Sequence, residues 1–328
     1  MRKYQKIILI LLTVAVLSAT VCFIIVLRYS DIFTSSDSEN VNKNYNVKEN
    51  GYAQILFVGD LMFDRGIRYY AEKNGGNDFI FNEVSSLLLE QSVVVANLEG
   101  PITDNKSISA GSKIGSTNNY FFTFDPSGAK TLFTKNIRIV NLGNNHILNF
   151  KQSGVDSTKK YLSEAGVSYF GAPGGEKIII RDINGLKVAF VSYNEFLGSD
   201  IDSEQDTVIR EIGKAKSDAS VDIIVVFCHW GVEYKLTPTE AQRELAKKFI
   251  DAGADLVIGS HPHVTQPTEE YKGKRIYYSL GNFVFDQYFN EDVRNGLAVI
   301  VKVDKITKEL KFEEHALYLQ GNGQTIIK

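Results

Sequence analysis

The chain reads Ile55-Leu56-Phe57-Val58-Gly59-Asp60, an apolar run that ends on a glycine and a carboxylate. Five further apolar runs also end on residues that can bind a metal or transfer a proton. These ends are Asn97-Leu98-Glu99, Asn144-Asn145-His146, His229, His261-Pro262-His263 and Asn282. Short runs of this kind are typical of strands buried on both faces. Because ligand sites of α/β sheets form at the carboxyl ends of strands, the pattern predicts these side chains along one rim of a sheet.

Helical patterns alternate with the apolar runs, which predicts right-handed crossovers and a largely parallel core. Strands are expected near 53–58, 92–97, 137–142, 221–228 and 255–259, and helices near 82–90, 126–134, 151–165, 204–218 and 238–252. Asn184-Gly185 predicts a tight hairpin, and Lys272-Gly273-Lys274 joins two further extended stretches. Strands near 297–304 and 310–318 complete the pattern. We therefore expect two packed sheets flanked by helices.

The N-terminus is predicted to anchor the protein in a membrane. Residues 7–27 carry no charge, and about 20 apolar residues are enough to cross a bilayer as a helix. Basic residues within 1–6 precede the span, so this stub is expected in the cytoplasm and the bulk of the chain outside. A cleaved signal peptide is the alternative, although its apolar core is usually only about 7–15 residues long. Residues 28–50 are polar and predict a linker, and 51–328 predict a single domain.

Charge and cysteine usage narrow the function classes. The formal net charge is −3 at pH 7, which argues against nucleic acid as a partner. An anionic substrate stays compatible with this charge, because a bound metal dominates its local field. Cys22 lies in the apolar segment and Cys228 in a buried strand, so no disulfide is expected in the domain. The chain has no Gly-rich phosphate loop and no Gly-x-Ser-x-Gly motif, which argues against a nucleoside-triphosphate enzyme and a serine hydrolase of that type.

Histidines supply the candidate nitrogen ligands. His261-Pro262-His263 follows a predicted buried strand, and the proline holds the two imidazoles in a stiff turn. His229 ends another strand. Neutral imidazoles suit Zn, Mn or Fe. The alternatives are a surface turn for the first motif and, for His229, a core histidine bonded to a backbone carbonyl.

Asp60 and Glu99 are the candidate carboxylate ligands, because a carboxylate that bridges two cations about 3.5–4 Å apart assembles a two-metal site. The alternative for Asp60 is a helix N-cap. The alternative for Glu99 is an ion pair with Arg65. Arg65 itself is predicted either to bind an anionic oxygen in a bidentate manner or to form that pair. Asn282 either orients a ligand or caps the loop that follows it.

Asn144-Asn145-His146 ends a strand and precedes a helix. The amide oxygen of Asn145 can ligate a cation, and His146 can then protonate a leaving group as a general acid. Asn144 is expected to orient its neighbours through hydrogen bonds. The alternative is an Asn-rich turn that caps the following helix.

Six ordered motifs resemble the CapA family of capsule-biosynthesis proteins, also called PgsA in poly-γ-glutamate systems. The motifs are Gly59-Asp60-Leu61-Met62, Asn97-Leu98-Glu99-Gly100-Pro101, Asn144-Asn145-His146, His229-Trp230-Gly231-Val232-Glu233, Gly259-Ser260-His261-Pro262-His263-Val264 and Tyr278-Ser279-Leu280-Gly281-Asn282-Phe283. The resemblance implies a four-layer α/β/β/α sandwich of the calcineurin-like metallophosphoesterase type, preceded by one N-terminal transmembrane helix.

The resemblance also implies roles for individual residues. It implies one or two divalent ions of Mn, Zn or Fe held by Asp60, Glu99, Asn145, His229, His261 and His263, with His146 as the acid. Met62 stands where a histidine often follows the first aspartate, and Glu99 where a bridging aspartate stands, so one metal position is expected to be weak or absent. Asn149 replaces an aspartate that commonly follows the Asn-His motif. This removes a charge able to orient His146 and raise its pKa.

Together these features predict a membrane-anchored, outward-facing protein of capsule or poly-γ-glutamate-type polymer biosynthesis with a metal-dependent hydrolase-like domain. Its expected partners are membrane components of a capsule synthesis and export complex. Its expected substrate is an anionic polymer or a phosphoester. Two alternatives stay open: a non-catalytic, polymer-handling scaffold of that complex, and a general metal-dependent phosphoesterase of the cell envelope.

Overall fold

The structure is a computed structural model that describes residues 51–197 and 201–328. The predicted basic stub at 1–6, transmembrane segment at 7–27 and linker at 28–50 lie outside the described residues. Among the residues that are described, no helix is both long and apolar enough to cross a membrane.

The described part of the chain contains fourteen strands and seven α-helices. The strands are β1 Tyr52–Leu61, β2 Val93–Leu98, β3 Ile137–Asn141, β4 Ser168–Phe170, β5 Ile178–Ile183, β6 Leu186–Asn194, β7 Ile223–His229, β8 Leu256–Ser260, β9 Thr268–Tyr271, β10 Lys274–Tyr277, β11 Asn282–Val284, β12 Asn295–Asp304, β13 Leu310–Leu319 and β14 Thr325–Ile327. The α-helices are α1 Arg65–Lys73, α2 Ser85–Leu89, α3 Ser127–Thr134, α4 Lys151–Ala165, α5 Ile201–Ser217, α6 Glu240–Ala252 and α7 Glu291–Arg294. Two 3₁₀-helices cover Asn77–Val84 and Thr117–Tyr120.

The strands form two sheets. The larger has the order β14-β13-β12-β1-β2-β3-β4, with β11 also paired to β1, and the smaller has the order β5-β6-β7-β8-β10-β9. The strands β1 to β4 are parallel neighbours, and so are β6, β7, β8 and β10. Antiparallel strands extend both sheets, through β12 to β14 in the larger and through β5 and β9 in the smaller. The predicted parallel core with antiparallel extensions, including both hairpins, is therefore confirmed.

One apolar core lies between the two sheets, and two more lie on their outer faces. In the middle core, Phe57 of β1 packs on Phe190 of β6 with ring centroids 6.4 Å apart. Helices α1 to α4 cover the outer face of the larger sheet, and α5 and α6 cover that of the smaller. Successive side chains of β1 alternate between faces, so Ile55 joins the middle core while Leu56 and Val58 join the outer one. The two packed sheets are thus flanked by helices, as predicted.

Helix α1 was not expected from the sequence. Only two of its residues, Ile67 and Ala71, are buried, which is too few to show a helical period. The helix begins because Asp64 caps it, with a carboxylate that accepts the backbone N–H of Arg65 at 2.9 Å.

Helix α6 begins later than the sequence indicates. The pattern Thr237-Pro238-Thr239-Glu240 predicts Thr237 as the cap and Glu240 as its capping-box partner. In the structure Thr239 is the cap, because its hydroxyl accepts the backbone N–H of Gln242 while the side chain of Gln242 accepts that of Thr239. Gln242 is buried and held in place, whereas Glu240 is exposed, so the reciprocal bonds form at the later position.

The polar strand ends meet at one rim of the sandwich. In the larger sheet, Asp60 is in register with Asn97 of β2 and with Asn282 of β11. In the smaller sheet, His229 of β7 is in register with Ser260 of β8. The fold therefore brings to one place residues that lie far apart in the chain.

Candidate metal centre

Asp60 lies fully buried at the centre of this rim. Its Oδ1 accepts a hydrogen bond from Asn97 Nδ2 at 2.8 Å. Its Oδ2 accepts the backbone N–H of His261 at 3.1 Å and lies 3.2 Å from His263 Nδ1. The neighbouring helix is capped by Asp64 instead, so Asp60 is not the helix cap of the alternative interpretation.

Asn97 is a buried residue to which the sequence analysis gave no role. Its Nδ2 lies 2.8 Å from Asp60 Oδ1, 3.4 Å from Glu99 Oε2 and 3.2 Å from His229 Nδ1. Its Oδ1 accepts a hydrogen bond from Asn144 Nδ2 at 3.3 Å, which fixes the orientation of the amide. Asn97 therefore links the ends of strands from both sheets. Its position could have been inferred, because it precedes Glu99 by two residues in a strand and so shares its face.

His229 is fully buried, and its ring contacts side chains from four segments, two of which contribute Asn97 and Phe196. Nε2 lies 2.9 Å from Asn145 Oδ1, and Nδ1 lies 3.0 Å from Ser260 Oγ. That hydroxyl in turn donates to the carbonyl oxygen of Cys228 at 2.9 Å. The imidazole is therefore held within a polar cluster and is not bonded to a backbone carbonyl. Cys228 itself packs in the core on the other face of its sheet, as expected for a buried thiol.

The His261-Pro262-His263 turn has a strained backbone. His261 has φ of 94° and His263 has φ of 57°, both in the left-handed region that non-glycine residues rarely adopt. Strain of this kind concentrates at functional sites. The turn places the His261 ring 4.8 Å from the His229 ring and 5.9 Å from the His263 ring, measured between centroids. The three imidazoles therefore converge, and the turn is not a solvent-exposed one, because both histidines are buried.

Glu99 faces this cluster from the end of β2. Its Oε1 lies 3.5 Å from His263 Nε2 and 3.9 Å from His146 Nε2. It makes no ion pair with Arg65, whose carboxylate partner is Asp286.

Burial sets the protonation of the cluster. Burial and the charge of Asp60 raise the pKa of Glu99 well above its ordinary value. Burial opposes ionisation of Asp60 too, but the hydrogen bond and charge of His263 hold its pKa below the ordinary value. Burial, assisted by His263, lowers the pKa of His261 to about 3. Burial, assisted by His261, holds the pKa of His229 well below its usual range. Both imidazoles are therefore neutral at pH 7, which is the form that binds a metal.

The donor set fits divalent cations. Two groups of three residues place their candidate ligand atoms within 4.8 Å of one another, namely Asp60, Glu99 and His229 in one group and Glu233, His261 and His263 in the other. Glu99 Oε1 and His261 Nδ1 are buried and have no hydrogen-bond partner. Buried polar atoms without partners are rare and require an explanation. A cation in each group would satisfy these two atoms and would offset the negative charge of the buried carboxylates.

Glu233 is a candidate ligand that the sequence analysis did not select. It is exposed, unlike the other five members of the two groups. The available indication was its place in the run His229-Trp230-Gly231-Val232-Glu233, where a carboxylate follows the strand end by one short turn. One of the two groups is thus enclosed by protein and the other is open to solvent.

His146 lies beside the cluster with a defined tautomer. Its Nδ1 is 3.2 Å from Asn149 Oδ1, and the same oxygen accepts the backbone N–H of Phe122 at 2.8 Å. Because that atom accepts, His146 donates from Nδ1 and presents Nε2 towards Glu99. The ring stacks on Phe122 with centroids 4.3 Å apart, and burial lowers the pKa of His146 to about 4. Asn149 thus keeps the orienting role that the aspartate of the family pattern implies, but without its charge.

Asn144 and Asn282 orient their neighbours. Asn144 Oδ1 accepts the backbone N–H groups of His146 at 3.1 Å and Ile147 at 2.9 Å, so it also caps the turn. Asn282 Oδ1 lies 3.0 Å from His263 Nδ1, and Asn282 Nδ2 donates to the carbonyl of Val293 at 3.1 Å. The contact with Asn282 directs His263 Nε2 towards Glu99.

Arg65 lies at the edge of the site, at the start of α1. Its guanidinium is paired with Asp286 and donates to the carbonyl oxygen of Asn119 at 3.2 Å. The same group lies 4.9 Å from the ring centroid of Phe122, the ring on which His146 stacks. Arg65 is therefore close to the acid candidate and is not a partner of the buried carboxylates.

Convergent buried carboxylates and imidazoles at one rim of a two-sheet α/β sandwich define a candidate metal-binding protein. The family to which the chain belongs is shown by its sequence. The family model described as bacterial capsule synthesis protein PGA_cap matches residues 54–287, and the chain is a member of this family.

Two relatives from Bacillus support the assignment. The chain is 33% identical over 258 residues to the capsule biosynthesis protein CapA of Bacillus anthracis, covering 73% of this chain and 61% of that protein. It is 34% identical over 246 residues to the PGA biosynthesis protein CapA of Bacillus subtilis, covering 70% and 63%. The chain thus spans less than two thirds of the length of these relatives. A probable polyglutamine synthesis accessory protein of Mycobacterium tuberculosis is 25% identical over 220 residues, covering 59% of this chain and 56% of that protein.

Solved structures give a distant likeness. The protein TT1561 of Thermus thermophilus is 10% identical with a TM-score of 0.41, covering 80% of this chain and 98% of that one. The sulfate thiohydrolase SoxB of Thermus thermophilus is 12% identical with a TM-score of 0.42, covering 81% and 56%. Similarity at this level carries no argument about activity.

Proposed function

We propose that this protein is a membrane-anchored, outward-facing component of capsule or poly-γ-glutamate-type polymer biosynthesis, and that its metal centre is hydrolytic. The observation that supports the hydrolytic part is the convergence of Asp60, Glu99, His229, His261 and His263, with two buried donor atoms left unsatisfied. The polymer class rests on family membership and on the relatives named for capsule and polyglutamine synthesis. The anchor rests on the uncharged segment at 7–27.

The chain would hold one or two divalent ions through the two groups of residues at the rim. A divalent ion in such a site acts as a Lewis acid on a phosphoryl or acyl oxygen and lowers the pKa of a water molecule. The protein holds the side chains that bind the ion in position before the ion arrives. Asn97 and Asn282 do this for Asp60 and His263 through the hydrogen bonds described above.

His146 is the group that we propose to move a proton. With Nδ1 donating to Asn149, its Nε2 is the free nitrogen that faces the centre. In the neutral form this atom accepts a proton, and the imidazolium so formed can then donate it to a leaving-group oxygen. The water molecule that attacks the substrate would supply this proton, and because burial lowers the pKa of His146 to about 4, the imidazolium would release it readily to the leaving group.

Arg65 is proposed to contact an anionic oxygen of the substrate at the edge of the metal centre. Its Nε is buried and has no hydrogen-bond partner. The pairing with Asp286 and the contact with Phe122 hold the guanidinium at a fixed place beside His146. This location favours a role for Arg65 in orienting the substrate and not a direct role in metal binding.

Turnover of a chromogenic phosphodiester, bis(p-nitrophenyl) phosphate, by the purified full-length chain tests the hydrolytic proposal. We expect turnover with added Mn or Zn, its loss on chelation, and a decrease of about 100-fold or more in His146→Ala. His315→Ala is the matched control, because His315 lies on β13, far from the rim in sequence and paired with Glu313. A chain that binds metal stoichiometrically but hydrolyses neither this compound nor the polymer would contradict the proposal and would favour the scaffold alternative.

Capsule formation in cells tests the biological part. A strain that carries His229→Ala together with His261→Ala is expected to lose capsule polymer while retaining the protein in its membrane fraction. Unchanged polymer in that strain would contradict a metal-dependent role in the pathway and would favour a general envelope phosphoesterase.

A further inference from the structure

A second site lies along the open edge of the sandwich, away from the metal centre. The outermost strands there are β4 of the larger sheet and β5 of the smaller. Two cavities of about 560 Å³ and 230 Å³ line this edge. Both are bordered by Gly166, Ser168 and Arg181, so they form one continuous groove. We call it the edge groove, and none of its lining residues belongs to the metal centre.

Three cations line the edge groove without a carboxylate partner. They are Lys159 of α4, Arg181 of β5 and Arg138 of β3. Within residues 51–197 and 201–328, none of the three lies within 4.0 Å of a carboxylate oxygen. By contrast, the neighbouring Lys177 forms an ion pair with Glu204 at 2.6 Å. Unpaired cations in a cavity favour an anionic ligand.

The two arginines are held in place by neutral groups. Arg181 Nε donates to Ser168 Oγ at 2.8 Å, which fixes the guanidinium at the junction of the two cavities. The Arg138 guanidinium stacks 3.5 Å from the ring centroid of Phe133. Its Nε is buried and has no hydrogen-bond partner. Both guanidinium groups are therefore held in fixed positions, and among the described residues no carboxylate pairs with either of them.

Two carboxylates also border the edge groove. Asp182 is engaged locally, because its Oδ1 accepts the backbone N–H of Gly185 at 2.8 Å in the hairpin. Glu176 is exposed at the other end. The cations therefore outnumber the carboxylates along the edge groove, although the chain as a whole has a net charge of −3.

We propose that the edge groove binds an extended polyamide chain that carries carboxylates. Edge strands can offer backbone N–H and C=O groups to the amides of an extended chain, but the carbonyl oxygen of Ile180 in β5 already accepts a hydrogen bond from Arg181 Nη1 at 2.9 Å. Ser163 and Ser168 add hydroxyls to the same walls. Spaced cations then select a chain with carboxylate side groups over a neutral one. A single small anion would use one cation and would leave the length of the edge groove unused.

Fluorescence anisotropy of the full-length chain with a labelled poly-γ-glutamate oligomer tests this proposal. The variant Lys159→Gln with Arg181→Gln is expected to weaken binding at least about tenfold, since each charged contact contributes on the order of one decade. Both residues are at least partly exposed, so folding is expected to survive. Lys160→Gln is the matched control, because Lys160 neighbours Lys159 on the same helix but does not line the edge groove. Arg138→Gln provides an independent third position.

The outcomes separate the possible ligands and the two sites. Binding that is unchanged in the double variant, or equally weakened in Lys160→Gln, overturns the proposal. Inorganic phosphate or free glutamate that competes as well as the polymer overturns the polymer assignment in favour of a single-anion site. Labelled polyglutamine that binds as tightly as the acidic polymer also overturns it. Polymer binding is measured on the chelator-treated protein, so that a failed hydrolysis assay would leave this result intact.

Discussion

Substituting Gly59 tests whether the close approach of β1 and β11 builds the metal centre. Gly59 precedes Asp60, and β11 is in register with β1 at that aspartate. A Cβ atom at Gly59 would lie 1.9 Å from the carbonyl oxygen of Gly281 and 2.9 Å from its carbonyl carbon. Both are backbone atoms, so no side-chain rotation can relieve the overlap in Gly59→Ala.

The size of the effect follows from the contact distance. Ordinary contact begins at 3.4 Å, so the two backbones must separate by about 1.5 Å, the difference between 3.4 Å and 1.9 Å. The backbone N–H of Asp60 donates to that same oxygen at 3.0 Å, and the separation would break this bond. Overpacking costs about 1–3 kcal/mol and a lost hydrogen bond about 0.5–1.5 kcal/mol. We expect the free energy of unfolding to fall by about 2–4 kcal/mol and Asp60 to move on the order of 1 Å.

Urea unfolding and calorimetric titration with Mn measure the two effects. Gly59→Ala should lose unfolding free energy and also bind Mn more weakly, because Asp60 leaves its place among the other donors. Gly213→Ala is the matched control, since a Cβ there meets nothing within 4 Å. In the middle of α5 it should gain about 0.5–1 kcal/mol. A Gly59→Ala protein within about 0.5 kcal/mol of the parent, with unchanged Mn affinity, would refute the reasoning.

Three further predictions concern single contacts. Glu99→Gln should stabilise the chelator-treated protein at pH 7.5 by about 1–4 kcal/mol, since it removes a buried carboxyl group whose ionisation is disfavoured by burial and by Asp60, while weakening metal binding. The raised pKa of Glu99 means that the metal-free parent loses stability as pH rises above the ordinary glutamate pKa of 4.5, and urea titrations across pH should show this slope vanish in the variant. Asn97→Leu should lower the free energy of unfolding, measured in urea at pH 7.5, by about 1–3 kcal/mol, because it leaves the buried Asp60 Oδ1 without its hydrogen-bond donor. An unchanged urea midpoint would contradict this expectation. Thr239→Ala should lower the free energy of unfolding by about 1 kcal/mol, because the capping box of α6 is lost. Thr237→Ala is the control and should leave it unchanged, since Thr237 does not cap the helix.

The position of the candidate site at the rim of the sheet was predictable from the strand ends. Each apolar run there is followed by a residue that can bind a metal or transfer a proton. Runs such as 55–58 and 223–228 are apolar throughout, and the direction of a parallel strand fixes which end faces the rim. The structure brings Asp60, His229 and His261 together at this rim. What the pattern leaves out is the linking amide of Asn97. Strand alternation predicts its position near Glu99, but its contacts with Asp60 and His229 depend on how the strands of the two sheets are aligned, which a single sequence does not reveal.

Helix starts and surface sites were less predictable. The cap of α6 is decided by the burial of Gln242, a property of the packed protein and not of the local sequence. Helix α1 forms although few of its residues are apolar, because Asp64 caps it and Ile67 docks on the core. Arg138 and Arg181, which line the edge groove, come from different sheets, so no local sequence motif predicts this groove.

Met62 and Glu233 together explain why the centre is asymmetric. Met62 stands where the family resemblance places a histidine, but its side chain is buried and its sulfur accepts the backbone N–H of Asp64 at 2.9 Å. It therefore supports the start of α1 and offers no nitrogen to the cluster. In the second group, the exposed Glu233 lies with the two buried histidines His261 and His263. An ion in the enclosed group would exchange slowly because its donors are buried, whereas an ion beside Glu233 would exchange quickly and stay accessible to a substrate.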